Sequence, residues 1–254
     1  MAKIISVVNQ KGGVGKTTTT VNLSACLAKE GKKVLMIDMD PQGNASSGLG
    51  IDTEELETTV YQVLIGEKSM EESIVQTEFG ELYVRPSDIQ LAGAEIELVS
   101  MEKREYMLKN ALSQLKNQYD YILIDCPPSL NLMTINALVA SDSVLIPVQC
   151  ENYALEGLSR LMQTVKSIKK QLNEGLEIEG ILLTMYDSRT NLSMMVAEEV
   201  KKFFPKKVYS TVIPRTVRLS EAPSYGQPII EYDQYSRGAE SYMELAKEVL
   251  KNNK

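Results

Sequence analysis

The chain has no histidine and no tryptophan, and it has only three cysteines among its 254 residues. The absence of histidine excludes a histidine base or nucleophile and removes the commonest transition-metal ligand of proteins. The cysteines are odd in number, widely spaced and set among apolar residues: Cys26, Cys126 and Cys150. This spacing favours reduced packing residues over a disulfide or zinc framework. Proton transfer must therefore use carboxylates or water.

Long hydrophobic runs are also missing. No apolar segment approaches the roughly 18 residues that cross a bilayer, and the chain begins directly with a strand-like segment. We therefore expect a cytoplasmic protein. The composition, with 43% apolar and 24% charged residues, is that of a folded globular protein. Since no linker or repeat interrupts the chain, we predict a single domain over residues 1–254.

Strand-like and helix-like segments alternate along the chain. Apolar, β-rich runs predict strands at residues 3–8, 33–38, 120–125, 143–149 and 178–184. Helices are predicted at residues 19–30, 94–115, 130–140, 155–172 and 192–203. Strands this apolar suit a mostly parallel, twisted α/β sheet with helices on both faces. The less regular residues 52–81 are expected to form a surface excursion.

A glycine-rich turn joins the first predicted strand to the first helix. Strand, glycine turn and a Gly-Lys-Thr sequence opening a helix are the context that a phosphate-binding loop requires, and a plain glycine turn is the alternative. Glycines let backbone N–H groups converge on phosphate oxygens, and the helix N-terminus adds partial positive charge. Lys16 is expected to reach the β- and γ-phosphates, and Thr17 to ligate Mg²⁺. The predicted nucleotide-binding residues are Lys11, Gly12, Gly13, Val14, Gly15, Lys16, Thr17 and Thr18.

Acidic residues end two further predicted strands. Asp38 and Asp40 are two residues apart, so both carboxylates are expected on one side, facing the phosphates at the carboxyl edge of the sheet. Asp125 follows four apolar residues, as in the magnesium-side strand of a phosphate-loop NTPase. Cys126, next to it, is expected to be a packing residue and not a cluster ligand.

The phosphate loop departs from the usual pattern, because Gln10 stands where glycine is normal and Lys11 is an additional lysine. This variant resembles the deviant loop of the MinD/ParA superfamily of ATPases. Segments outside the loop are similar to ParA/Soj-type chromosome-partition ATPases and extend the resemblance through nearly the whole chain: residues 90–95, 127–130, 147–151, 183–187, 212–215 and 217–224.

The resemblance implies roles for individual residues. Lys11 is the signature lysine, which crosses a dimer interface to the nucleotide of the other subunit. Asp40 positions the attacking water, whereas Asp38 either orders the water shell of Mg²⁺ or anchors the turn. Pro214 lies where the family's backbone cradles adenine. The catalytic set is Lys11, Lys16 and Asp40, the magnesium set is Thr17, Asp40 and Asp125, and the DNA-binding set is Arg189 and Arg218.

The function implied is a switch. Mg²⁺–ATP binding joins two subunits in a homodimer that binds double-stranded DNA without sequence preference. Hydrolysis, stimulated by a ParB-type centromere-binding protein, releases the DNA. The protein is then expected on the nucleoid, and whether it serves segregation, a replication initiator or sporulation control stays open.

Charge supports a local anion-binding face. Residues 201–218 carry six basic side chains and no acidic one, in a chain of net charge −7. Such a single-sign patch is typical of a nucleic-acid surface, and the alternative is a solvated basic helix end.

The same superfamily offers two alternative functions. A MinD-like membrane ATPase needs a C-terminal amphipathic helix with a cationic face. Here residues 236–250 have a mixed-charge polar face, and their apolar stripe predicts a helix docked on the core: Ala239, Tyr242, Met243, Ala246, Val249 and Leu250. A metabolic or cluster-assembly enzyme of the same superfamily is the third candidate.

Overall fold

The computed structural model describes residues 1–253, apart from the side chain of Ser73. It contains eight strands: β1 Lys3–Val7, β2 Val34–Asp38, β3 Val75–Gln76, β4 Leu82–Arg85, β5 Tyr121–Asp125, β6 Ser143–Gln149, β7 Glu177–Tyr186 and β8 Val208–Pro214. They form one sheet in the order β3-β4-β2-β5-β1-β6-β7-β8. Every neighbouring pair is parallel except β3 and β4.

Helices connect the strands. They are α1 Lys16–Lys29, α2 Asn44–Ser47, α3 Val60–Leu64, α4 Leu91–Leu98, α5 Met107–Ala111, α6 Leu132–Ala140, α7 Ala154–Gln171, α8 Asn191–Phe203, α9 Arg218–Glu221, α10 Ile229–Tyr232 and α11 Arg237–Asn252. Short 3₁₀ turns lie at Thr53–Glu55, Glu71–Ser73, Arg104–Tyr106 and Ala222–Tyr225. Within residues 1–253, no helix is long and apolar enough to cross a bilayer.

The two faces of the sheet carry separate hydrophobic cores. Helices α1 and α11 cover one face, and α3 to α8 cover the other. β2 and β5 are buried along their whole length, because both faces of these strands are covered by helices. The predicted α/β fold, with a mostly parallel sheet and helices on both faces, is confirmed.

Two predictions of local structure are wrong. The helix predicted at residues 94–115 is broken: α4 ends at Leu98, and Lys103 adopts a left-handed φ of 55° before the chain re-enters a helix. Residues 52–81 are not simply a surface excursion, since Val60 and Leu64 of α3 are completely buried and α3 packs against α4 and α5. Their apolar side chains complete the core on that face of the sheet.

The C-terminal helix docks as the sequence predicts. Tyr242 of α11 is completely buried and its hydroxyl lies 3.2 Å from that of Thr19 in α1. At the start of α11, a Cβ on Gly238 would stand 2.9 Å from Leu219 Cγ, so only glycine allows this approach. The apolar stripe of α11 is thus packed on α1 and β8, and it does not face outward as a membrane-binding stripe would.

Candidate nucleotide site

The candidate site lies at the carboxyl edge of the central strands. The last residues of β1 and β2, Val7 and Asp38, are each in register with Asp125 at the end of β5. The loop after β1 therefore lies beside the acidic ends of both neighbouring strands. Ligands of open parallel sheets bind at this edge.

The loop needs glycine at two positions. Gly13 has φ 73°, and Gly15, the N-cap of α1, has φ 87°. A left-handed backbone is unfavourable for residues with a Cβ. A Cβ placed on Gly12 or Gly13 would meet no atom within 4 Å, so these residues face open space. Bare backbone at the N-terminus of a long helix favours an anion such as phosphate.

Lys16 is buried at the base of this loop, with 6% of its surface exposed. Its Nζ donates to the carbonyl oxygen of Lys11 at 3.2 Å. Burial lowers the pKa of the Lys16 ammonium, and the charges of Asp125 and Asp40 partly offset this effect. A buried cation whose hydrogen-bond partner is a neutral carbonyl would gain from phosphate oxygens.

Asp125 is completely buried and accepts two hydroxyl hydrogen bonds, from Thr17 at 2.8 Å and Thr20 at 2.9 Å. Burial raises the pKa of Asp125, and the nearby charge of Asp38 raises it further. A divalent cation would favour the ionised carboxylate. Mg²⁺ is usually held by one or two protein oxygens together with phosphates and water. The Thr17 and Asp125 oxygens fit that ion, and no cluster of three His, Cys, Asp or Glu in the described part of the chain could hold it alone.

Asp38 and Asp40 differ in their surroundings. Asp38 is completely buried, and its carboxylate accepts from Ser46 N, Ser46 Oγ and Asp40 N at 2.9, 2.8 and 3.1 Å. Asp38 therefore anchors the turn after β2, one of the two roles expected for it, while its charge also acts on Asp125. Asp40 lies near enough to Lys16 to raise the pKa of that lysine. Asp40 is thus the aspartate of this pair that lies at the phosphate loop.

Lys11 forms an ion pair with Glu151 on the surface of the site. Asn9 fixes the backbone that carries this lysine: its Nδ2 donates to Pro147 O at 2.7 Å, and its Oδ1 accepts from Lys11 N at 3.0 Å. The phosphate loop is therefore tied to the end of β6, next to the turn that holds Glu151. The Lys11 side chain is half-exposed.

A cavity of about 260 Å³ adjoins the loop. Pro214, at the end of β8, lines this cavity together with Gly15, Thr18 and Met185. Met185 has a left-handed φ of 50° although it carries a side chain. The position predicted for the adenine contact thus lines the same cavity as the phosphate loop.

The two predicted DNA contacts each form internal ion pairs. Arg189 is 86% exposed and binds Asp187 through two hydrogen bonds, at 2.9 and 2.7 Å. These bonds hold the pKa of Asp187 at about 2. Arg218 binds Glu221 at 3.1 Å and Asp233 at 3.4 Å. Each arginine would have to exchange a carboxylate for a phosphate on binding DNA.

The basic run of residues 201–218 does not form one patch. Its lysines lie at the end of α8 and before β8, on the amino edge of the sheet, whereas Arg215 and Arg218 follow the carboxyl end of β8. A strand of seven residues separates these groups by about 20 Å. Arg215 lies at the carboxyl edge of the sheet, where the site is. Its N–H donates to Tyr186 O at 3.2 Å, and its charge contributes to the low pKa of Asp187.

Three residues of the site are absent from the sequence prediction: Asn9, Glu151 and Thr184. Thr184 is buried at the end of β7, and its Oγ1 donates to Val14 O at 2.8 Å. It therefore ties the loop to β7 as Asn9 ties it to β6. Each stands near the carboxyl end of a strand, and Glu151 and Thr184 also lie in segments that carry the family resemblance, so the sequence offers these signals for them.

Comparison with known proteins agrees with this geometry. The family described as AAA domain matches residues 2–178. Over 252 residues, the chain is 64% identical to the sporulation initiation inhibitor protein Soj of Bacillus subtilis strain 168. This alignment covers 99% of this chain and 100% of that protein. It is 53% identical over 253 residues to the chromosome partitioning protein ParA of Myxococcus xanthus, covering 100% of this chain and 89% of that protein. Its structure is similar, with a TM-score of 0.87, to that of cobyrinic acid a,c-diamide synthase from Mycobacterium smegmatis with bound ADP and magnesium, at 37% identity over 99% of this chain and 95% of that one.

Proposed function

The chain belongs to the Soj/ParA family of chromosome-partitioning proteins, and we propose that it is an ATPase that forms a DNA-binding dimer when it holds Mg²⁺–ATP. The whole chain acts as one domain in this proposal. ParB-type stimulation of hydrolysis then ends the dimer and releases the DNA. The protein would thereby associate with the nucleoid in cycles set by nucleotide turnover.

One observation carries the nucleotide assignment: Lys16, Thr17 and Asp125 converge beneath the open glycine loop. Lys16 binds the β- and γ-phosphates, and Mg²⁺, when bound, neutralises phosphate charge. Thr17 and Asp125 hold that ion, and the backbone of Gly12 to Gly15 cradles the phosphates. Pro214 borders the base.

Hydrolysis requires two further groups. Asp40 orients water at the γ-phosphate, because it is the aspartate of the β2 turn that lies near Lys16. Lys11 leaves Glu151 and crosses to the nucleotide of the second subunit, where a cation stabilises charge in the transition state. Its half-exposed side chain on the outer surface of the loop supports this role.

DNA binding is assigned to Arg189 and Arg218, which lie at the same edge of the sheet as the phosphate loop. Exposed arginines contact phosphates without reading sequence. In a dimer this edge is present twice, which converts weak contacts into useful affinity.

Phosphate release and light scattering with Mg²⁺–ATP test the proposal. Asp40→Ala should form an ATP-bound dimer while hydrolysis falls by about 10²-fold or more, the usual contribution of a positioned proton acceptor. Lys16→Ala should lose ATP affinity by about 30-fold or more, because a buried charge contact is removed. Equal hydrolysis by Asp40→Ala and wild type, or an ATP-dependent dimer of Lys16→Ala, would contradict the assignment.

The metabolic alternative has less support. The solved synthase structure is 37% identical to this chain, against 64% for Soj. Cys126 is completely buried, and burial raises the pKa of its thiol well above the ordinary value, so it stays protonated in the core. A buried neutral thiol is suited to packing and not to holding a cluster.

A further inference from the structure

Tyr153 has a conformation poorly suited to its residue type. It is the N-cap of α7, with φ 66° and ψ 9°, and it makes no side-chain capping hydrogen bond. A left-handed backbone is unfavourable for residues with a Cβ, and N-caps prefer Asn, Asp, Ser or Thr. Tyrosine therefore departs from two local preferences at one position.

Packing within the chain does not compensate for the unfavourable backbone of Tyr153, because the residue is 82% exposed. The backbone of Tyr153 is strained and its ring is open to solvent, so the residue adds little to the stability of the isolated subunit. Residues that break local rules without an internal gain are concentrated at functional surfaces. Tyr153 is therefore a candidate for contact with something outside the subunit.

Tyr153 lies in the turn after β6, two residues from Glu151, which contacts Lys11 of the phosphate loop. The turn after β6 is held by hydrogen bonds from Cys150 N to Thr184 O at 3.2 Å and from Glu151 N to Gln149 O at 2.9 Å. The Glu151 carboxylate holds Lys11, and Tyr153 follows within about 7 Å of chain. The ring thus shares the surface from which Lys11 would cross to another subunit.

Charge on this surface indicates the kind of partner. Glu151 and Glu156 flank Tyr153, and the cations beside them are paired, Lys11 with Glu151 and Arg160 with Glu156. When Lys11 leaves Glu151 to cross to a second subunit, as proposed above, this surface keeps an unpaired carboxylate, which disfavours nucleic acid and anionic lipid. A second copy of the chain would instead bring its own Lys11 and open glycine loop to this surface.

We propose that Tyr153 anchors the interface between two ATP-bound copies of this chain, with its ring packed against the partner's phosphate-loop surface. The inference rests on the proposed dimer and names the residue that holds it together. Tyrosine is enriched among the few side chains that dominate interface energy, and a two-fold interface uses the same ring twice.

Tyr153→Asn separates the interface role from a folding role. Asparagine is favoured at N-caps and tolerates a left-handed backbone, so the Tm of the monomer should stay unchanged or rise by a few degrees. With Mg²⁺–ATP, the dimer dissociation constant measured by sedimentation should rise at least about tenfold, because two rings are lost per dimer. Tyr153→Phe keeps both rings and should dimerise within about threefold of wild type.

The chain offers a matched control for the backbone change. Lys103 is also a left-handed N-cap, with φ 55°. Nearby, the Tyr106 hydroxyl donates to Leu172 O at 3.2 Å, at the end of α7 opposite Tyr153 and about 26 Å away along the helix. Lys103→Asn should therefore leave dimerisation unchanged. Tyr235→Asn controls for loss of an exposed tyrosine outside the turn after β6, since Tyr235 is 90% exposed and lies between α10 and α11.

The outcomes are distinguishable. A wild-type chain that stays monomeric with Mg²⁺–ATP overturns the proposed function together with this inference. A wild-type dimer matched in affinity by Tyr153→Asn overturns the inference alone. The inference alone is also overturned if Tyr153→Asn dimerises more weakly but has a lower Tm or binds a fluorescent ATP analogue more weakly as a monomer. The residue would then act through the fold. Stable, nucleotide-binding Tyr153→Asn that dimerises weakly supports it.

Discussion

The exposed arginines at the site edge are paired with carboxylates of the same chain, and these ion pairs compete with any phosphate that the arginines bind. Arg189 is held by both oxygens of Asp187, and its hydrogen bonds keep the pKa of Asp187 at about 2. An exposed ion pair of this kind contributes little free energy, because water and salt screen it. DNA phosphates can therefore displace it, but the exchange lowers the net affinity by the same amount.

Asp187→Asn should consequently strengthen DNA binding by the ATP-bound dimer. The expected gain is about two- to fivefold at constant salt, because Arg189 no longer has to leave a carboxylate. The slope of log affinity against log salt should stay the same, since the number of phosphate contacts is unchanged. Arg189→Ala should instead flatten that slope by about two units, one contact for each subunit.

Glu177→Gln supplies the matched charge control, because Glu177 is an exposed carboxylate paired with Lys169 on the amino edge of the sheet. A gain in DNA affinity that Glu177→Gln reproduces would mean that net charge, and not Arg189, is responsible. No gain with Asp187→Asn would remove Arg189 from the DNA surface.

At the residue scale, the sequence predicts contacts that are local and misses those that are distant. Lys16 and Thr17 are recognisable because their loop is one continuous motif. The ion pair of Lys11 and Glu151 joins residues that are 140 positions apart, so it depends on the sheet order. Asp38 could not be separated from Asp40 by spacing, since its use in the turn depends on Ser46.

At the element scale, burial decides which strands the sequence reveals. β2 and β5 are apolar up to the aspartate that ends each, because both faces are covered, and they are predicted correctly. β4 and β8 are missing from the prediction because they carry polar residues. β4 ends in the fully buried Arg85, whose Nη2 donates to Thr59 O at 2.6 Å. A buried charge held by one distant carbonyl cannot be read from a hydrophobic pattern.

Packing between β7 and β8 depends on a glycine. A Cβ on Gly180 would lie 2.3 Å from the ring of Tyr209, which is buried beneath α11. Gly180→Ala should lower the free energy of unfolding by about 1–3 kcal/mol, the usual cost of overpacking. Denaturant titration measures the change.

Gly93→Ala is the control for that substitution. Gly93 lies in α4, where a Cβ would meet only the flexible Glu97 side chain at 4.0 Å. Alanine there should stabilise the protein by about 0.5–1 kcal/mol. Equal effects of the two substitutions would contradict the packing described for β7.

At the scale of the whole molecule, one edge of the sheet unites the proposed activities. The phosphate loop, Asp125 and Pro214 lie at the carboxyl ends of β1, β5 and β8, and the arginines follow β7 and β8 on the same edge. The proposed nucleotide and DNA surfaces are thus adjacent, so the proposed dimer would also set the spacing of the DNA contacts. The C-terminal helix supports this edge from one face, through Tyr242 and Thr19.

DNA affinity measured without nucleotide, with ADP, with ATP and with a slowly hydrolysed ATP analogue tests this account most directly. Gly12→Val is the informative variant, because a Cβ at Gly12 meets no atom within 4 Å in one subunit and would obstruct only a second one. We predict tight, sequence-independent binding of wild type with ATP and the analogue, with a salt slope of roughly −3 to −4 for four arginine contacts. Gly12→Val should bind ATP but remain monomeric and bind DNA weakly. Equal DNA affinity of the wild type in all four nucleotide states, or tight binding by monomeric Gly12→Val, would contradict the account.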